Sequence, residues 1–326
     1  MKRILFALLT GRIGFTSNGQ SAIEIIKDDL PQAEKLIKAY FNPMAESFGA
    51  GLNNGWYNTA KPHSLGGFDF TVTLNTVIIP NTARTFNIQE AGGTTFISSH
   101  DEASTILGNS DKTEMFYCTD CSGLTFGDMI NPQSGFVPPT NSDTFTMPGG
   151  FNIRIVPLPI MQAGIGLMKN TGIDFRFIPK MNIGKSGDES IEINLFGVGL
   201  KHDLLQWMPA IGDAIPMSLS LQGGYTSLNT ELKIVGQKVA LNTRATTVNL
   251  VASKKMLMVT GYAGIGYNSA KTTFSADANF SLNDLTFTEK VELDFKSNNT
   301  LRTNIGIRFN LTLVTIQADY TFAQYP

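Results

Sequence analysis

The stretch that decides the fold is TNIGIRFNLTLVTIQADYTF, which runs from Thr303 to Phe322. In its first half Ile305, Ile307, Phe309 and Leu311 alternate with Gly306, Arg308, Asn310 and Thr312. Because successive side chains of a β-strand point to opposite faces, this order gives one apolar face and one polar face. The stretch therefore begins with a strand that separates two different environments.

The alternation changes phase after Leu313. From there Val314, Ile316, Ala318, Tyr320 and Phe322 alternate with Thr315, Gln317, Asp319 and Thr321. A two-residue turn at Thr312 and Leu313 would pair Leu311 with Val314 on the same face. The phase change therefore predicts a tight β-hairpin, although the turn lacks the usual Gly or Asn.

The same pattern recurs along much of the chain. Phe68, Phe70, Val72 and Leu74 form one face of a clear strand, and Phe48 to Tyr57 is interpreted as the first strand. Further strands are expected at 152–156, 162–168, 172–177, 191–199, 217–223, 232–239, 246–253, 256–269, 272–281 and 286–295. Pro157 and Pro159 predict a turn or a strand edge. The sequence predicts an all-β fold, a transmembrane antiparallel β-barrel of roughly 12 to 14 strands, over residues 44–326.

Composition supports this class but allows another. The 326 residues carry a formal charge of −2, only 16% charged residues, 31 Gly and 22 Phe. The absence of a long basic run argues against nucleic acid as a partner. A soluble sandwich would show the same alternation. Long strands, and polar faces made mostly of Gly, Ser, Thr, Asn and Gln rather than Lys and Glu, favour the barrel.

The N-terminal region reads as a leader followed by helices. Residues 1–19 resemble a secretory signal peptide, with Lys2 and Arg3 before a short apolar run that Arg12 interrupts. Residues 20–43 carry the convincing helical pattern, which Pro31 divides and Asn42-Pro43 is expected to end. This helical segment is either a packed terminal helix pair or a plug of the barrel.

Residues 81–150 lack clear periodicity and are expected to form a large extracellular loop region with short strand extensions. They contain Cys118 and Cys121, the two cysteines of the chain. A lone C-x-x-C pair suits a redox pair, half of a zinc site or a small-loop disulfide. Zinc needs further ligands, and a redox site expects a βαβ context, so export of the chain would favour the disulfide.

No motif of catalysis or metal binding emerges. His63, His100 and His202 have no metal-ligand spacing, and no G-x-S-x-G accompanies His202. We therefore expect no catalytic, cofactor-binding or metal residues. The candidate site residues are instead the charges on polar faces, which in a barrel would point into the lumen and pair there or form a polar gate: Asp69, Asp174, Arg176, Glu192, Arg308 and Asp319.

Several segments resemble an uncharacterised family of Bacteroidota-type outer-membrane β-barrels, itself distantly similar to the long-chain fatty-acid transporter family. They are Tyr40–Val72, Leu195–Pro209 (LFGVGLKHDLLQWMP), Met217–Tyr225 (MSLSLQGGY), Tyr262–Tyr267 (YAGIGY) and Leu301–Tyr325. The resemblance implies that N-terminal helices plug the barrel and that small hydrophobic molecules are its cargo. Barrels of this kind finish on a terminal aromatic, whereas Phe322 is followed by Ala-Gln-Tyr-Pro, so a final strand is expected to be missing.

The resulting expectation is an outer-membrane protein that passively transports small hydrophobic molecules without a cofactor. Its environment would be outer-membrane lipid. One alternative is a non-transporting barrel that accompanies a secretion or surface-assembly complex. The other is an outer-membrane lipolytic enzyme, whose requirement for a Ser–His pair is poorly met.

Overall fold

The computed structural model describes residues 30–92, 95–118, 130–131, 135–136, 142–186, 189–208, 216–234, 237–282, 285–297, 301–311 and 314–326. The signal-peptide prediction for residues 1–19 and the first half of the predicted helical region lie outside these residues. The chain divides into two compact units. The sheet unit comprises Ala45–Ile78 with Ile155–Pro326, and the small unit comprises Met1–Met44 with Ile79–Arg154.

The chain is all-β, and the sheet unit is built on one large curled antiparallel sheet that forms a half-barrel. Its strands are β1 (Phe68–Ile78), β9 (Ile155–Leu167), β10 (Thr171–Ser186), β11 (Glu189–Asp203), β12 (Ser218–Ile234), β13 (Gln237–Met256), β14 (Val259–Leu282), β15 (Leu285–Lys296), β16 (Leu301–Leu311) and β17 (Val314–Phe322). Neighbours in the sheet follow chain order, with β1 beside β9. Such simple up-and-down pairing is what a sequence of consecutive hairpins predicts.

Two places in the sheet depart from simple pairing. β14 pairs with β15 over Lys271–Leu282 and with β16 over Val259–Tyr267, so two strands share one of its edges. β9 pairs with β10 only from Gln162 to Leu167. Pro157 and Pro159 lie in the other half of β9, where only β1 is paired with it, so their missing N–H groups interrupt no second ladder. The expected strand edge is confirmed, and the alternative of a turn is wrong.

The hairpin predicted from the opening stretch is confirmed in its register. β16 and β17 pair antiparallel, with Leu311 opposite Val314 and Thr303 opposite Phe322. Thr312 and Leu313, the predicted turn, lie outside the described residues. The sheet curls far enough for the backbone N–H of Ile78 in β1 to donate to the carbonyl of Pro326, at 2.7 Å.

The two faces of the sheet have opposite character. One face, the outer face, carries large exposed apolar side chains on β1, on β9 to β14 and on β16 and β17; examples are Phe68, Phe175, Phe196, Leu221, Leu250, Ile265, Phe309 and Ile316. The other, the inner face, carries buried polar residues such as Arg176, Gln222, Asn249, Arg302 and Asn304. A soluble half-barrel would bury its apolar face and expose the polar one.

The first helix extends further than the sequence predicts. Helix α1 spans Leu30–Asn53 and contains Pro43 in its interior. The prediction that Asn42-Pro43 ends the helix is therefore wrong, as is the first strand predicted at Phe48 to Tyr57. Gly49 and Gly51 were interpreted as strand glycines, but they allow the helix to approach the sheet. A Cβ on Gly51 would lie 2.2 Å from Cδ1 of Leu158.

In the region predicted to be a loop with short strand extensions, the small unit has short strands that pair among themselves and one short helix. They are β2 (Thr85–Asn87), α2 (Ile88–Gly92), β3 (Phe96–Ile97), β4 (Glu102–Ser104), β5 (Thr113–Cys118), β6 (Ile130–Asn131), β7 (Gly135–Phe136) and β8 (Ser142–Met147). Phe96 packs edge-to-face on Phe145, with ring centroids 5.7 Å apart. Burial raises the pKa of Tyr40 to about 12, and its hydroxyl donates to the Gly149 carbonyl at 3.1 Å. Strands this short carry too few residues to show a periodicity.

Among the described residues, no helix combines the length and the apolar character needed to cross a membrane.

Candidate functional site

The inner face of the sheet is covered by one stretch of chain, residues 45–63, which we call the inner segment. It comprises the end of α1 and the irregular residues that lead towards β1. Its residues contact strands at both ends of the sheet order: Asn75 of β1 donates to the Gly51 carbonyl, and Asn58 donates to Gln317 of β17. One short segment can bridge both ends only from the concave side. The inner segment therefore lies inside the curl of the sheet.

Two buried arginines hold the end of α1. Arg176 of β10 donates to the carbonyls of Leu52 and Asn54, both at 2.7 Å. Arg302 of β16 donates to the carbonyl of Asn53 at 2.9 Å and to Oδ1 of Asn54 at 2.5 Å. The last carbonyls of a helix lack intrahelical partners and carry the negative end of its dipole. The arginine pair (Arg176 and Arg302) therefore satisfies the C-terminus of α1.

Trp56 occupies a pocket made by two glycines. Its side chain is 1% exposed, and a Cβ on Gly199 or Gly224 would lie 2.5 Å or 2.4 Å from its ring atoms. The guanidinium of Arg176 stacks on the opposite side of the indole, with its Cζ 3.6 Å from the ring centroid. This is a desolvated cation–π contact, which is stronger than one in water. Gly199 of β11 and Gly224 of β12 thus leave the space in which the Trp56 ring packs.

A second aromatic contact lies beside the first. Tyr57 packs edge-to-face on Tyr262 of β14, with ring centroids 6.1 Å apart, and a Cβ on Gly264 would lie 2.3 Å from the Tyr57 hydroxyl oxygen. The Tyr262 hydroxyl donates to Asp319 of β17 at 2.8 Å. Asn304 donates to the other carboxylate oxygen of Asp319 at 2.9 Å. Asp319 is therefore held by neutral donors on the inner face.

Amide side chains connect the arginine pair to the middle of the sheet. Asn249 of β13 accepts a hydrogen bond from Nε of Arg302 at 3.0 Å and donates to Gln222 of β12 at 2.5 Å. Nε of Arg176 donates to Gln162 of β9, also at 3.0 Å. Buried polar groups of this kind need partners, because an unpaired one costs about 1–3 kcal/mol. The network explains why Asn and Gln occupy inner positions of these strands.

A small polar cavity lies next to Trp56. It is lined by Gly55, Trp56, Tyr57, Asn58, Thr59, His63, Asp69, Thr71, Gln162, Asp174, Lys201 and Gln317. Asp69 and Asp174 flank Gly164, and Nε2 of His63 lies 3.3 Å from Oδ1 of Asp69. Lys201 is buried in the same wall. The cavity combines acidic and basic groups and is closed on one side by the inner segment.

Five of the six predicted lumen charges share the inner face. Asp69, Asp174 and Arg176 lie on β1 and β10, while Arg308 and Asp319 lie on β16 and β17. Arg308 donates to Asn58 of the inner segment at 2.8 Å. Glu192 differs: the register of β11 places it on the same face as the exposed Phe196, and it pairs with the exposed Lys180 at 2.6 Å. A break in the β10–β11 register beside Lys180 accompanies this pair.

Three residues of the inner face and the inner segment are absent from the predicted set. Arg302 and Lys201 were not selected, although both occupy polar positions of alternating strands. Trp56 was assigned to a strand. A usable signal existed in Gly197 and Gly199 of LFGVGL and in Gly224 of LQGGY, because a glycine inside a strand often marks a close approach by another part of the chain.

His202 lies on the outer face at the end of β11. Nδ1 of its ring contacts the Thr171 hydroxyl at 2.8 Å, and Nε2 accepts from the Trp207 indole at 2.9 Å. Both ring nitrogens are thus engaged by neutral groups. Trp207 itself is 65% exposed in the short helical turn Leu205–Trp207.

The cysteine prediction lies largely outside the described residues: Cys118 ends β5, whereas Cys121 and the side chain of Cys118 are not described. Within the described part of the chain, no group of three or more His, Cys, Asp and Glu side chains is placed to hold a metal ion.

Comparisons with known proteins identify a family but no function. Neither a curated protein nor a solved structure matches the chain. The resemblance to outer-membrane barrels related to fatty-acid transporters therefore stays a prediction. One family model matches residues 1–326, and its description is "Family of unknown function (DUF6588)". The chain belongs to this family.

Proposed function

We propose that the protein is an outer-membrane β-barrel protein that serves as a passive conduit for small molecules and is closed by its inner segment. The observation that supports this most is the inverted polarity of the sheet. Phe68 is 81% exposed and Phe70 67% exposed on the outer face, whereas Arg176 and Arg302 are nearly inaccessible on the inner face. Contiguous exposed apolar surface of this size marks a contact with lipid or with another protein.

The dimensions of the apolar surface agree with a bilayer. On β1 the exposed positions run from Phe68 to Ile78, a strand of 11 residues. At about 3.3 Å per residue and a tilt near 40°, these residues would cover roughly 25 Å along the membrane normal, which is the height of the apolar band of outer-membrane barrels. The corresponding outer positions of β16 and β17 are also exposed and apolar.

The end of the sheet that carries the β9–β10 and β13–β14 turns has the residues expected at a membrane boundary. Trp207 is exposed there, with its indole N–H bonded to His202. Lys169 lies in the β9–β10 turn, while Lys254 and Lys255 precede the β13–β14 turn. Tryptophan and lysine are favoured where an apolar band meets water and lipid headgroups. We infer that this end of the apolar surface lies at a headgroup region.

In this proposal the structure corresponds to the closed state. The inner segment fills the concave side with the packed side chains of Leu52, Trp56 and Tyr57. Passage of a solute would require the segment to move. The resemblance implies hydrophobic cargo, whereas the many hydrogen-bonding groups of the inner face favour cargo that can hydrogen-bond. No nucleotide, metal or covalent step is needed.

A reversible cross-link tests the conduit directly. A Cβ on Gly49 would lie 3.7 Å from Cβ of Ser297, within the range of a disulfide, but only 2.7 Å from Cβ of Ala270. The variant Gly49→Cys/Ser297→Cys/Ala270→Gly therefore fixes the inner segment to the sheet without that clash. Cys118→Ser and Cys121→Ser remove the native thiols, and these two substitutions alone provide the control.

Liposome swelling with small sugars and amino acids measures the permeability of the reconstituted full chain. We expect the oxidised cross-linked protein to be impermeable and the reduced one to match the control. Equal swelling by both forms would show that solutes bypass the inner segment. Absence of swelling in every form, with correct insertion, would reject the conduit.

A non-transporting role is the second candidate, because the inner face is covered by the hydrogen-bonded inner segment. In that case the barrel would anchor or accompany a secretion or surface-assembly complex. Purification of the full chain from outer membranes after mild cross-linking tests it. Stoichiometric partners together with an impermeable barrel would favour this role over transport.

A further inference from the structure

We propose that the arginine pair is a binding site for a small soluble oxyanion, a phosphate or a carboxylate, for which the carbonyls of α1 are the intramolecular substitute. The inference rests on the proposed function only in that a solute must reach the inner face. It assigns a class of ligand to the inner face, and this assignment can hold whether or not the protein lets solutes through.

The first support is that both guanidiniums are buried without a carboxylate in direct contact, although Asp174 and Asp319 act on them from a longer distance. Arg176 is 1% exposed and Arg302 is 2% exposed. Among the residues that the structure describes, neither has a carboxylate oxygen within 4.0 Å. Buried charges are normally paired with an opposite charge, because removal from water is costly. The hydrogen bonds of the two cations go here to neutral acceptors.

The second support is that the two guanidiniums converge on one point. Arg176 bonds to the main-chain oxygen of Asn54 and Arg302 to its side-chain oxygen, although they come from β10 and β16, which are far apart in the sheet order. The Nε atoms of Arg176 and Arg302 donate to the side-chain oxygens of Gln162 and Asn249, at 3.0 Å each. The terminal nitrogens are thereby aimed at the inner segment. Two such forks are the arrangement that recognises phosphate and carboxylate oxygens.

The third support is the nature of the group that occupies the site. The acceptors supplied by Leu52, Asn53 and Asn54 come from the C-terminus of a helix, which carries only a partial negative charge. An oxyanion carries a full charge and makes shorter, stronger hydrogen bonds to guanidinium groups. It would therefore compete with the helix end, and binding would release the segment. The site lies on the inner face, so free anions rather than lipid phosphates are the ligands.

Tryptophan fluorescence can report this exchange in the full chain. The chain has two tryptophans, so Trp207→Phe leaves Trp56 as the only one. Trp56 lies between Arg176 and the two glycines, and release of the segment would expose it. Inorganic phosphate is titrated into the detergent-solubilised protein, with sodium chloride at equal ionic strength as the reference. We expect phosphate, and not chloride, to shift the Trp56 emission to longer wavelength in a saturable manner.

Two matched arginine variants distinguish the site from a general loss of charge. Arg302→Gln removes one member of the pair without touching the ring of Trp56, and it should abolish the phosphate response. Arg308→Gln removes another inner-face arginine, one that bonds to Asn58, and it should leave the response in place. If Arg302→Gln does not fold, Arg302→Lys keeps the charge but loses the fork, and it should weaken the response several-fold.

The outcomes separate this inference from the proposed conduit. An equal effect of chloride and phosphate, no response at all, or equal loss in Arg302→Gln and Arg308→Gln would overturn the anion site, whatever the permeability. A phosphate response that depends on Arg302 would support the site even if liposomes do not swell. In the latter case only the conduit would fail.

Discussion

Removal of the Trp56 side chain is the sharpest test of how the inner segment is held. Trp56 is 1% exposed in a pocket formed by Gly199 and Gly224, and the guanidinium of Arg176 covers its other side. A tryptophan buries about 150–250 Å² of surface, which at ~25 cal/mol per Å² is about 4–6 kcal/mol. Measured Trp→Ala costs of about 3–5 kcal/mol agree with this range. We therefore expect Trp56→Ala to destabilise the docked segment by about 4 kcal/mol.

Hydrogen exchange measures this change where it occurs. A loss of about 4 kcal/mol in local opening free energy should speed exchange of the amides of residues 53–60 roughly a thousand-fold. The strands β12 and β13 should keep their protection, because their ladder does not include Trp56. The matched control is Trp207→Ala, which removes the exposed indole and should cost less than about 1 kcal/mol.

Two results would contradict this reasoning. If Trp56→Ala and Trp207→Ala changed the exchange of residues 53–60 equally, the indole pocket would not hold the segment. If Trp56→Ala accelerated exchange throughout β12 and β13, the segment would be an inseparable part of the sheet core. Movement of the segment alone would then be excluded as a way to open the proposed conduit.

Three further tests address other parts of the structure. Leu250→Arg places a charge in the middle of the outer apolar surface and should reduce the free energy of unfolding in vesicles by about 2–4 kcal/mol. The control Thr246→Arg, on the same face of β13, should cost about 0–1 kcal/mol. Denaturant titration after vesicle insertion measures both variants, and equal effects would argue against a membrane contact. Gly264→Val introduces a Cβ only 2.3 Å from the Tyr57 hydroxyl oxygen and should destabilise the protein by about 1–3 kcal/mol. In the control Gly261→Val, on the same strand, the added Cβ meets nothing within 4 Å, so the same titration should show no change. Asn249→Ala should cost about 1–3 kcal/mol, because Nε of Arg302 loses its acceptor; an unchanged unfolding midpoint would show that the amide network contributes little.

The sequence alone was sufficient to predict most strands of the sheet and the register of its last hairpin. Alternation with period two identified most of its strands, and the phase change after Leu313 gave the register of the last hairpin, with Leu311 opposite Val314. This worked because side-chain direction in a strand is fixed by the backbone and needs no knowledge of distant contacts. Five of the six predicted inner-face charges were placed correctly for the same reason. Glu192 was not, because the inner positions at this end of β11 are apolar: Leu195 and Ile193 pack with Leu52, which leaves Glu192 on the other face.

Only the tertiary structure decided what the inner face contacts. Local signals end α1 at Pro43 and make a strand of FGAGLNNGWY, yet the helix continues to Asn53 because the sheet packs against it and two distant arginines satisfy its last carbonyls. Arg176 and Arg302 are separated by more than a hundred residues in sequence, and each is unremarkable there. Their convergence depends on the curl of the sheet, which brings β10 and β16 around one segment. No periodicity in the chain encodes such long-range closure, because it arises from packing between elements rather than within them.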